Sequence, residues 1–550
     1  MSAPLQRRQP AALQIFPVIF VAVFLLHAPL LRLPFFWDEA GYYVPAAYDL
    51  VHSHALVPTT TLDTGHPPLS AAYLAFWFSV SGWKPAVARI AMLLLAAFAL
   101  TNVFLLARRV ANTGVAVAST IATAVYPVFF VQSSLAHADL TAAAFTLWGI
   151  RLVMEQRVGM SQLAFSLAVL SKETAIITPL ALGAWELFRK DHVLDKISDQ
   201  SKSSASAATS PSRVSRAAIY LLPAIPLICW LIYHHHVTGR FLGNAEFFQY
   251  NVTQALSPLR ILLAMAMRVW HLLGAMNMLA LTAATLVAMR FPPVMDAAGD
   301  GESIERPRIT IPVQLQFAVI MLAHVVAFSL LGGALLTRYL LAAYPLVIIL
   351  GMSTLRRRVQ RWEWPAAIMI ICFVMALLFD PPYRFAPEDN LRYKDYVNLH
   401  VSAARFLADH EKDATVLTAW PATDELTKPY LGYAARPHQV VAVRDSTAEE
   451  VLKARTMRAN FQQTSFQQTS YQVAYLFSTK YEAAPWFRSE AWERLNRKFF
   501  DYHRDLSPQA AAELLGGKVV FVKTSKAEWV EIIEMEQPSV EAAGRKPEPE

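Results

Sequence analysis

Apolar residues are gathered into stretches of roughly twenty, separated by short polar segments, from about residue 12 to residue 380. A helix of ~20 residues crosses ~30 Å of hydrocarbon, so each stretch is long enough to span a membrane. The pattern predicts a polytopic α-helical membrane protein with about eleven transmembrane helices. The predicted helices lie near 12–34, 84–107, 115–133, 140–154, 160–188 (two helices), 217–236, 260–289, 312–335, 340–354 and 364–380.

Basic clusters assign the ends of these helices to the two sides of the membrane. Arg108-Arg109 and Arg356-Arg357-Arg358 each follow an apolar stretch, and such clusters mark the cytoplasmic side. The alternation then places residues 35–83 outside as a long loop with interfacial helices. The stretch 189–216 is rich in Ser, Lys and Arg and is predicted to be a cytoplasmic linker between two halves of a membrane domain, residues 1–380.

From residue 381 the pattern changes to short β-rich runs that alternate with amphipathic segments. Strands are predicted near 415–417, 440–443 and 519–522, and helices near 397–410, 447–458 and 507–515. Residues 381–550 are therefore predicted to form an extracytoplasmic α/β domain. The last dozen residues are rich in Glu, Pro and Lys, which predicts a disordered tail.

Composition supports a membrane protein and excludes other classes. The chain is 55% hydrophobic and 17% charged, and its net charge is +7. Because the basic residues lie at the ends of apolar stretches, we attribute them to membrane orientation and expect no nucleic-acid binding. The two cysteines, Cys229 and Cys372, both lie inside apolar stretches, so they provide neither a CxxC metal site nor a disulfide framework.

Ionisable residues cluster at the predicted outer ends of the helices, where one cavity could hold several of them. An ionisable side chain beside a bilayer costs free energy unless it pairs with another charge, contacts water or has a function. Carboxylates and cations together suit transfer of a phosphate-linked group, since a base deprotonates the acceptor while cations stabilise the departing phosphate. The candidates are Asp38, Glu39 and Asp139 as catalytic acids and bases, His66, Lys172, Arg338 and Tyr339 as phosphate-binding groups, and Glu173 as a further cavity residue.

Each candidate also has a structural interpretation. Asp38 and Glu39 could be solvated charges at a helix end, and Asp139 could be the N-cap of the following helix. Lys172 and Glu173 could form a surface ion pair of negligible energy. 

The remaining polar motifs have similar alternatives. His66 before two prolines could only shape a turn, and Arg338 with Tyr339 could be an interfacial anchor. The run His234-His235-His236 could suggest a metal site, but adjacent residues on a helix face different ways. We interpret it as a histidine patch at headgroup level.

Five motifs, in this order and spacing, resemble those of a known family. They are Phe36-Trp37-Asp38-Glu39-Ala40-Gly41-Tyr42-Tyr43, Gly65-His66-Pro67-Pro68-Leu69, His137-Ala138-Asp139, Leu170-Ser171-Lys172-Glu173-Thr174-Ala175 and Arg338-Tyr339-Leu340-Leu341-Ala342-Ala343-Tyr344-Pro345. Together they cover about the first 350 residues. The set is similar to that of the C-type superfamily of membrane glycosyltransferases (GT-C), in particular the protein O-mannosyltransferase and aminoarabinose-transferase branch.

The resemblance implies an inverting, one-step transfer from a polyprenyl-phosphate sugar donor to a protein, lipid or glycan acceptor. It implies that Asp38 is the general base, that Asp139 is a second acidic site in the same cavity, and that His66 faces the carrier phosphate. The aminoarabinose branch tends to carry Lys where this chain has His66. Metal dependence varies across the superfamily, so a divalent metal stays possible. These residues form no clear ligand set, and we therefore assign no metal site. The implied location is a bacterial inner or plasma membrane, with the active site and the α/β domain on the outer side.

Two other function classes fit a polytopic chain. A transporter or flippase of a lipid-linked saccharide would place ionisable groups near the bilayer midplane in repeated halves, whereas here they lie at the outer ends and no inverted repeat is evident. A non-catalytic assembly or receptor subunit would need far fewer than eleven helices for anchoring. The sequence therefore favours an enzyme.

Overall fold

A computed structural model of the chain describes residues 12–535 except 190–211, 246–255, 298–302, 332, 462–470, 480, 482 and 501. The predicted tail lies outside the described residues, and so does most of the predicted linker. The fold divides into two compact units. The first comprises Met1–Arg32, Tyr42–Pro381 and Glu388–Leu391, and the second comprises Leu33–Gly41, Pro382–Pro387 and Arg392–Glu550.

The described part of the first unit is almost entirely helical. Its helices are α1 (Ala12–His27), α2 (Val44–Ser53), α3 (Leu69–Ser81), α4 (Pro85–Val110), α5 (Thr113–Val125), α6 (Pro127–Gln132), α7 (Ala138–Met154), α8 (Val158–Ser171), α9 (Ile177–Phe188), α10 (Arg213–Ile219), α11 (Ala224–Thr238), α12 (Pro258–Leu273), α13 (Met278–Ala288), α14 (Ile311–Leu330), α15 (Tyr344–Arg358) and α16 (Glu363–Leu378). A small hairpin of β1 (Met295–Ala297) and β2 (Ser303–Glu305) lies in the predicted polar loop between α13 and α14.

Several stretches predicted as single helices are broken. The helix predicted over 115–133 ends at Val125, because Pro127 has no amide hydrogen and disfavours a helical residue before it. Helices α10 and α11 are bent by 45°, and α12 and α13 by 78°. At the second bend Met276 and Asn277 adopt positive φ angles of 50° and 63°, which end α12 and restart the chain in a new direction.

Three of the described helical segments are long and apolar enough to span a membrane, namely Ala12–Leu30, Pro85–Val110 and Ile311–Leu330. The count rises to five if each bent pair is one span. Shorter apolar helices such as α3, α5, α8 and α16 fall below the length of a full span. The figure of about eleven spans stays a prediction.

Close packing of α7 on α8 brings two of the predicted motifs together. A Cβ atom at Gly149 of α7 would lie 2.4 Å from Cε1 of Phe165 on α8, so only glycine allows this approach. The two helices run antiparallel through a short turn at residues 155–157, so the start of α7 lies beside the end of α8. Asp139 and Lys172 are located at those two ends.

The second unit is an α/β unit built on a five-stranded sheet. Its strands are β3 (Val416–Ala419), β4 (Val440–Val443), β5 (Val473–Phe477), β6 (Gly517–Ser525) and β7 (Glu528–Met535), in the order β4-β3-β5-β7-β6. β3 pairs in parallel with β4 and β5, whereas β7 pairs antiparallel with β5 and β6. The predicted strands correspond to β3, β4 and β6, and the sequence missed β5 and β7.

Among its described residues the second unit has five helices, and one face of the sheet carries an apolar core. The helices are α17 (Arg392–His410), α18 (Ala422–Thr427), α19 (Ala448–Phe461), α20 (Glu490–Phe499) and α21 (Pro508–Leu515). Leu417, Leu476 and Ile533 of the sheet pack in one buried cluster with Val451 of α19 and Leu515 of α21. The predicted helices near 397–410, 447–458 and 507–515 correspond to α17, α19 and α21.

Candidate active site

The centre of the candidate site in the first unit is a buried carboxylate between two cations. The Lys172 Nζ atom lies 2.7 Å from Oδ1 of Asp139, and the Arg338 Nε atom lies 3.4 Å from Oδ2 of the same carboxylate. All three side chains are at most 7% exposed. Three predicted residues from segments far apart in sequence therefore meet in one place.

The structure decides between the alternatives for Asp139 and Lys172. His137 is the N-cap residue of α7, and Asp139 lies in the first turn, so Asp139 is not the cap. Lys172 pairs with Asp139, whereas Glu173 accepts from Nδ1 of His66 at 2.8 Å. A mutual surface pair of Lys172 and Glu173 is therefore wrong.

Three cations surround the ring of Tyr339. The Lys172 ammonium lies 4.5 Å from the ring centroid, and the guanidinium carbons of Arg268 and Arg338 lie 5.3 Å and 5.9 Å from it. Cations are attracted to the negative face of an aromatic ring, and Tyr339 thereby helps to hold like charges near one another. A surface anchor does not account for this environment, since Arg338 is buried.

Arg268 is a site residue that the sequence analysis missed. It lies on α12 with no exposed surface and donates to the carbonyl oxygens of Leu336 at 2.6 Å and Ala334 at 3.2 Å. These bonds hold the segment that leads into Arg338. The sequence did carry a signal for Arg268, because it lies inside an apolar helix on the same side as Arg260 and His271. An ionisable residue in such a position is typical of a functional or paired charge.

Acidic residues after α16 complete the surroundings of Arg338. Its Nη1 donates to the carboxylate of Glu388, and the hydroxyl of Thr337 donates to Asp389. Glu388 and Asp389 were also missed, because their segment follows the last apolar stretch and carries no motif of its own.

A small cavity that is partly open to its surroundings lies beside these charges. Its polar wall is formed by Asp139, Lys172, Thr174, Arg338 and Tyr339, and its apolar wall includes Ala142, Ala143, Phe328, Leu341 and Ala342. Cations at one wall and an apolar surface at the other match an amphipathic ligand that carries a phosphate and a hydrocarbon chain.

His66 lines a second small cavity of the first unit. Tyr42, Tyr43, Asp63, Ser70 and Ser171 contribute its polar groups. The ring of Tyr43 stacks at 6.2 Å from that of His66, and His66 pairs with Glu173, the residue after Lys172. His66 therefore does more than shape a turn.

Asp38 and Glu39 lie in the second unit. Glu39 is fully buried, and its Oε2 accepts from the Phe36 amide at 2.7 Å, so it fixes the local backbone. Asp38 is half-buried, next to Trp37, whose ring contacts Tyr396 at 5.4 Å and Trp420 at 5.6 Å. The catalytic roles of Asp38 and Glu39, and their convergence with Asp139, stay predictions.

In the described part of the chain, no group of three His, Cys, Asp or Glu side chains is placed to hold a metal ion. The metal interpretation of the histidine run gains no support, because His234 is buried while His235 and His236 are exposed. The three rings thus do not face one site.

The chain is similar to several known proteins. Residues 65–200 match the model of a family described as dolichyl-phosphate-mannose-protein mannosyltransferase. The structure is similar to ArnT from Cupriavidus metallidurans in the apo state, with a TM-score of 0.53, 13% identity, and coverage of 95% of this chain and 98% of that chain. For ArnT bound to undecaprenyl phosphate the TM-score is 0.51, the identity 14%, and the coverage 94% and 97%. No curated protein sequence matches the chain.

The match of residues 65–200 includes His66, Asp139 and Lys172, three of the residues on which the predicted resemblance depended. The similarity to ArnT extends over nearly the whole chain, including the α/β unit. The predicted resemblance is therefore confirmed in two respects: residues 65–200 match a mannosyltransferase family model, and nearly the whole chain shares the fold of ArnT.

Proposed function

We propose that this chain transfers a sugar from a polyprenyl-phosphate carrier to a protein, lipid or glycan acceptor at the outer face of a bacterial inner membrane. The observation that carries the proposal is the convergence of Lys172, Arg268 and Arg338 on the ring of Tyr339, beside a cavity with an apolar wall. Buried cations of this kind bind phosphate oxygens strongly, and the apolar wall suits the lipid chain.

The reaction is a single displacement with inversion at the anomeric carbon. Asp38 takes the proton of the acceptor hydroxyl, whose oxygen forms a bond to the anomeric carbon. The bond between that carbon and the phosphate oxygen breaks, and its electron pair stays on the phosphate of the released carrier. Lys172, Arg338 and His66 stabilise the charge that develops there, and Asp139 holds Lys172 and Arg338 in place.

The similar proteins support a polyprenyl-phosphate carrier. One solved ArnT structure holds undecaprenyl phosphate, and the family description names a dolichyl-phosphate donor. Both are polyprenyl-type phosphates, so the shared chemistry is a phosphate on a long isoprenoid chain. We use undecaprenyl phosphate as the probe for a bacterial enzyme.

The test is release of the carrier by the purified full-length protein in lipid nanodiscs. Lipid-linked sugars and acceptors are extracted from the host membranes, and free undecaprenyl phosphate is measured with and without the acceptor fraction. We expect acceptor-dependent release from the wild type and a loss of at least a hundredfold in Asp38→Asn. The exposed Asp413→Asn of the same unit is the matched control and should keep wild-type turnover. Wild-type turnover in Asp38→Asn would contradict the role of Asp38.

One observation favours the transporter alternative. Arg268 lies on α12, which joins α13 at a bend of 78°, and broken helices with ionisable groups are typical of transporters. The same assay separates the two functions, since a flippase moves the intact lipid-linked sugar and releases no carrier phosphate. Movement of the lipid-linked sugar across proteoliposomes without release would favour the transporter.

A further inference from the structure

The turn that carries His66 is held by a buried histidine of the His234-His235-His236 run. The side chain of His234, on α11, has no exposed surface. Its Nδ1 lies 2.7 Å from the carbonyl oxygen of Arg240, and its Nε2 lies 2.9 Å and 3.2 Å from the two carboxylate oxygens of Asp63. His234 therefore ties the loop after α11 to Asp63.

Further hydrogen bonds extend this attachment to the residue before His66. Oδ1 of Asp63 accepts from the amide of Gly65 at 2.8 Å, and the Asp63 carbonyl accepts from the amide of Asn244 at 2.9 Å. The indole of Trp230, one turn before His234 on α11, donates to the carbonyl of Gly65 at 3.0 Å. The backbone of residues 63–65 is thus fixed from several directions.

Two glycines allow the backbones to meet. A Cβ atom at Gly65 would lie 2.3 Å from the amide nitrogen of Gly243, and one at Gly243 would lie 3.0 Å from the carbonyl carbon of Thr64. Both residues have positive φ angles, 72° and 31°. Any side chain at either position would push the two segments apart.

We propose that Asp63, His234 and Gly243 are positioning residues that fix the ring of His66 for the carrier phosphate. The proposal rests on the proposed function, in which His66 faces that phosphate. His66 directly follows the fixed Gly65 and precedes Pro67, which restricts its backbone to extended conformations. Its Nδ1 is held by Glu173 at 2.8 Å. A ring confined in this way loses little freedom on binding, and this strengthens binding.

The test measures the dissociation constant of undecaprenyl phosphate for the full-length protein in nanodiscs. We expect a loss of about tenfold in affinity for His66→Ala, as for one charge-assisted hydrogen bond, and a similar loss for His234→Ala. Because His234 acts through His66, the double variant His66→Ala/His234→Ala should bind no more weakly than His66→Ala alone. The exposed neighbours give matched controls, and His235→Ala and His236→Ala should bind like the wild type.

Gly243→Ala is the second variant, since it leaves every polar side chain in place and is needed if His234→Ala does not fold. It should weaken binding in the wild-type background and have no further effect beside His66→Ala. A purely structural role would instead lower affinity equally in both backgrounds.

The outcomes separate the two proposals. Wild-type affinity in His66→Ala would overturn the phosphate-binding role of His66 and with it this inference. A tenfold loss in His66→Ala with wild-type affinity in both His234→Ala and Gly243→Ala would overturn only the positioning role. Additive losses in the double variants would also overturn it, because His234 and Gly243 would then act independently of His66.

Discussion

The hydroxyl of Tyr433 donates a hydrogen bond of 2.9 Å to the carbonyl oxygen of Phe35, a residue 398 positions earlier in the chain. The amide of Phe35 in turn donates to the carbonyl of Leu431 at 3.3 Å. The ring of Phe36 packs edge-on against Tyr396 at 5.3 Å. Inside the second unit, the segment that carries Asp38 is therefore bound to residues of the α/β fold.

Tyr433→Phe removes only the hydroxyl of this bond. We expect the free energy of unfolding of the second unit to fall by about 1 kcal/mol, since the Phe35 carbonyl loses a buried donor. Turnover should fall several-fold, because Asp38 lies three residues further along. Thermal unfolding and carrier release measure the two effects.

Tyr475→Phe is the matched control for this prediction. Tyr475 is fully buried in β5, and its hydroxyl has no hydrogen-bond partner among the described residues. Removing that hydroxyl should leave stability unchanged or raise it slightly. A greater loss of stability in Tyr475→Phe than in Tyr433→Phe would contradict the assignment.

Gly41→Ala should destabilise the same segment by steric overlap. The added Cβ atom would lie 2.3 Å from Cζ2 of Trp420, and this half-buried indole packs against Trp37, so it cannot move away without cost. We expect a loss of about 1–3 kcal/mol in thermal or denaturant unfolding. Gly159→Ala is the control, since Gly159 is exposed on α8 with no atom within 4 Å of its Cβ position, and it should be neutral or stabilising. Equal effects of the two substitutions would disprove the overlap.

Glu531 should make the second unit less stable as the pH rises. Burial in the middle of β7 raises the pKa of its carboxyl to about 8, from an ordinary value of 4.5. Below pH 4.5 the group is protonated in both folded and unfolded chains. Between pH 4.5 and 8 the unfolded chain loses the proton while the folded chain keeps it, so stability falls with pH and then levels off.

Glu531→Gln removes this dependence. We expect it to unfold like the wild type near pH 4.5 and to be more stable above pH 8 by roughly 2–4 kcal/mol. Denaturant titrations across this pH range provide the measurement, with the exposed Glu534→Gln of the same strand as the control. Wild-type pH dependence in Glu531→Gln would show that Glu531 is not its source.

Asp139→Asn should destabilise the first unit, because it leaves Lys172 buried beside a neutral amide, while Arg338 keeps its pair with Glu388. We expect the free energy of unfolding to fall by about 3–5 kcal/mol, which is the usual cost of removing one partner of a buried ion pair. In Asp139→Asn/Lys172→Gln the loss should be smaller than the sum of the single losses by about 1–3 kcal/mol. 

The control for this cycle is Glu155→Gln. Glu155, the residue after α7, pairs with Arg151 at 3.6 Å, and both side chains reach the solvent in part, so its loss should cost less than about 1 kcal/mol. Strictly additive losses in the double variant would contradict a direct Asp139–Lys172 interaction.

Some of the site could be predicted because its residues stand in ordered motifs next to helix ends. Asp139 and Lys172 each border an apolar stretch, so the hairpin of α7 and α8 brings them together once the helices are placed. Arg268 could not be assigned in the same way, since its partners are backbone carbonyls, which carry no sequence signal. His234 was hidden among three histidines, and only packing shows which ring is buried.

The missed strands have a similar cause. β7 reads Glu-Trp-Val-Glu-Ile-Ile-Glu-Met, and its glutamates recur every third residue as they would on a helix. It is a strand because it lies between β5 and β6 and is buried on both faces, and period-2 alternation signals only half-buried strands. The end of the helix before Pro127, by contrast, could have been predicted from the proline itself.

The carbonyl oxygens of Ala334 and Leu336, which accept from Arg268, also constrain the order in which the helices can enter a membrane during synthesis. Ala334 and Leu336 are synthesised 66 and 68 residues after Arg268. At ~5–20 residues per second the ribosome needs about 3 to 13 s to reach them, and an uncompensated guanidinium in lipid is costly over that time. The segment that bears Arg268 should therefore linger at the translocon or the interface and enter the bilayer together with α14, so that insertion of these helices is a concerted event rather than a sequence of single ones.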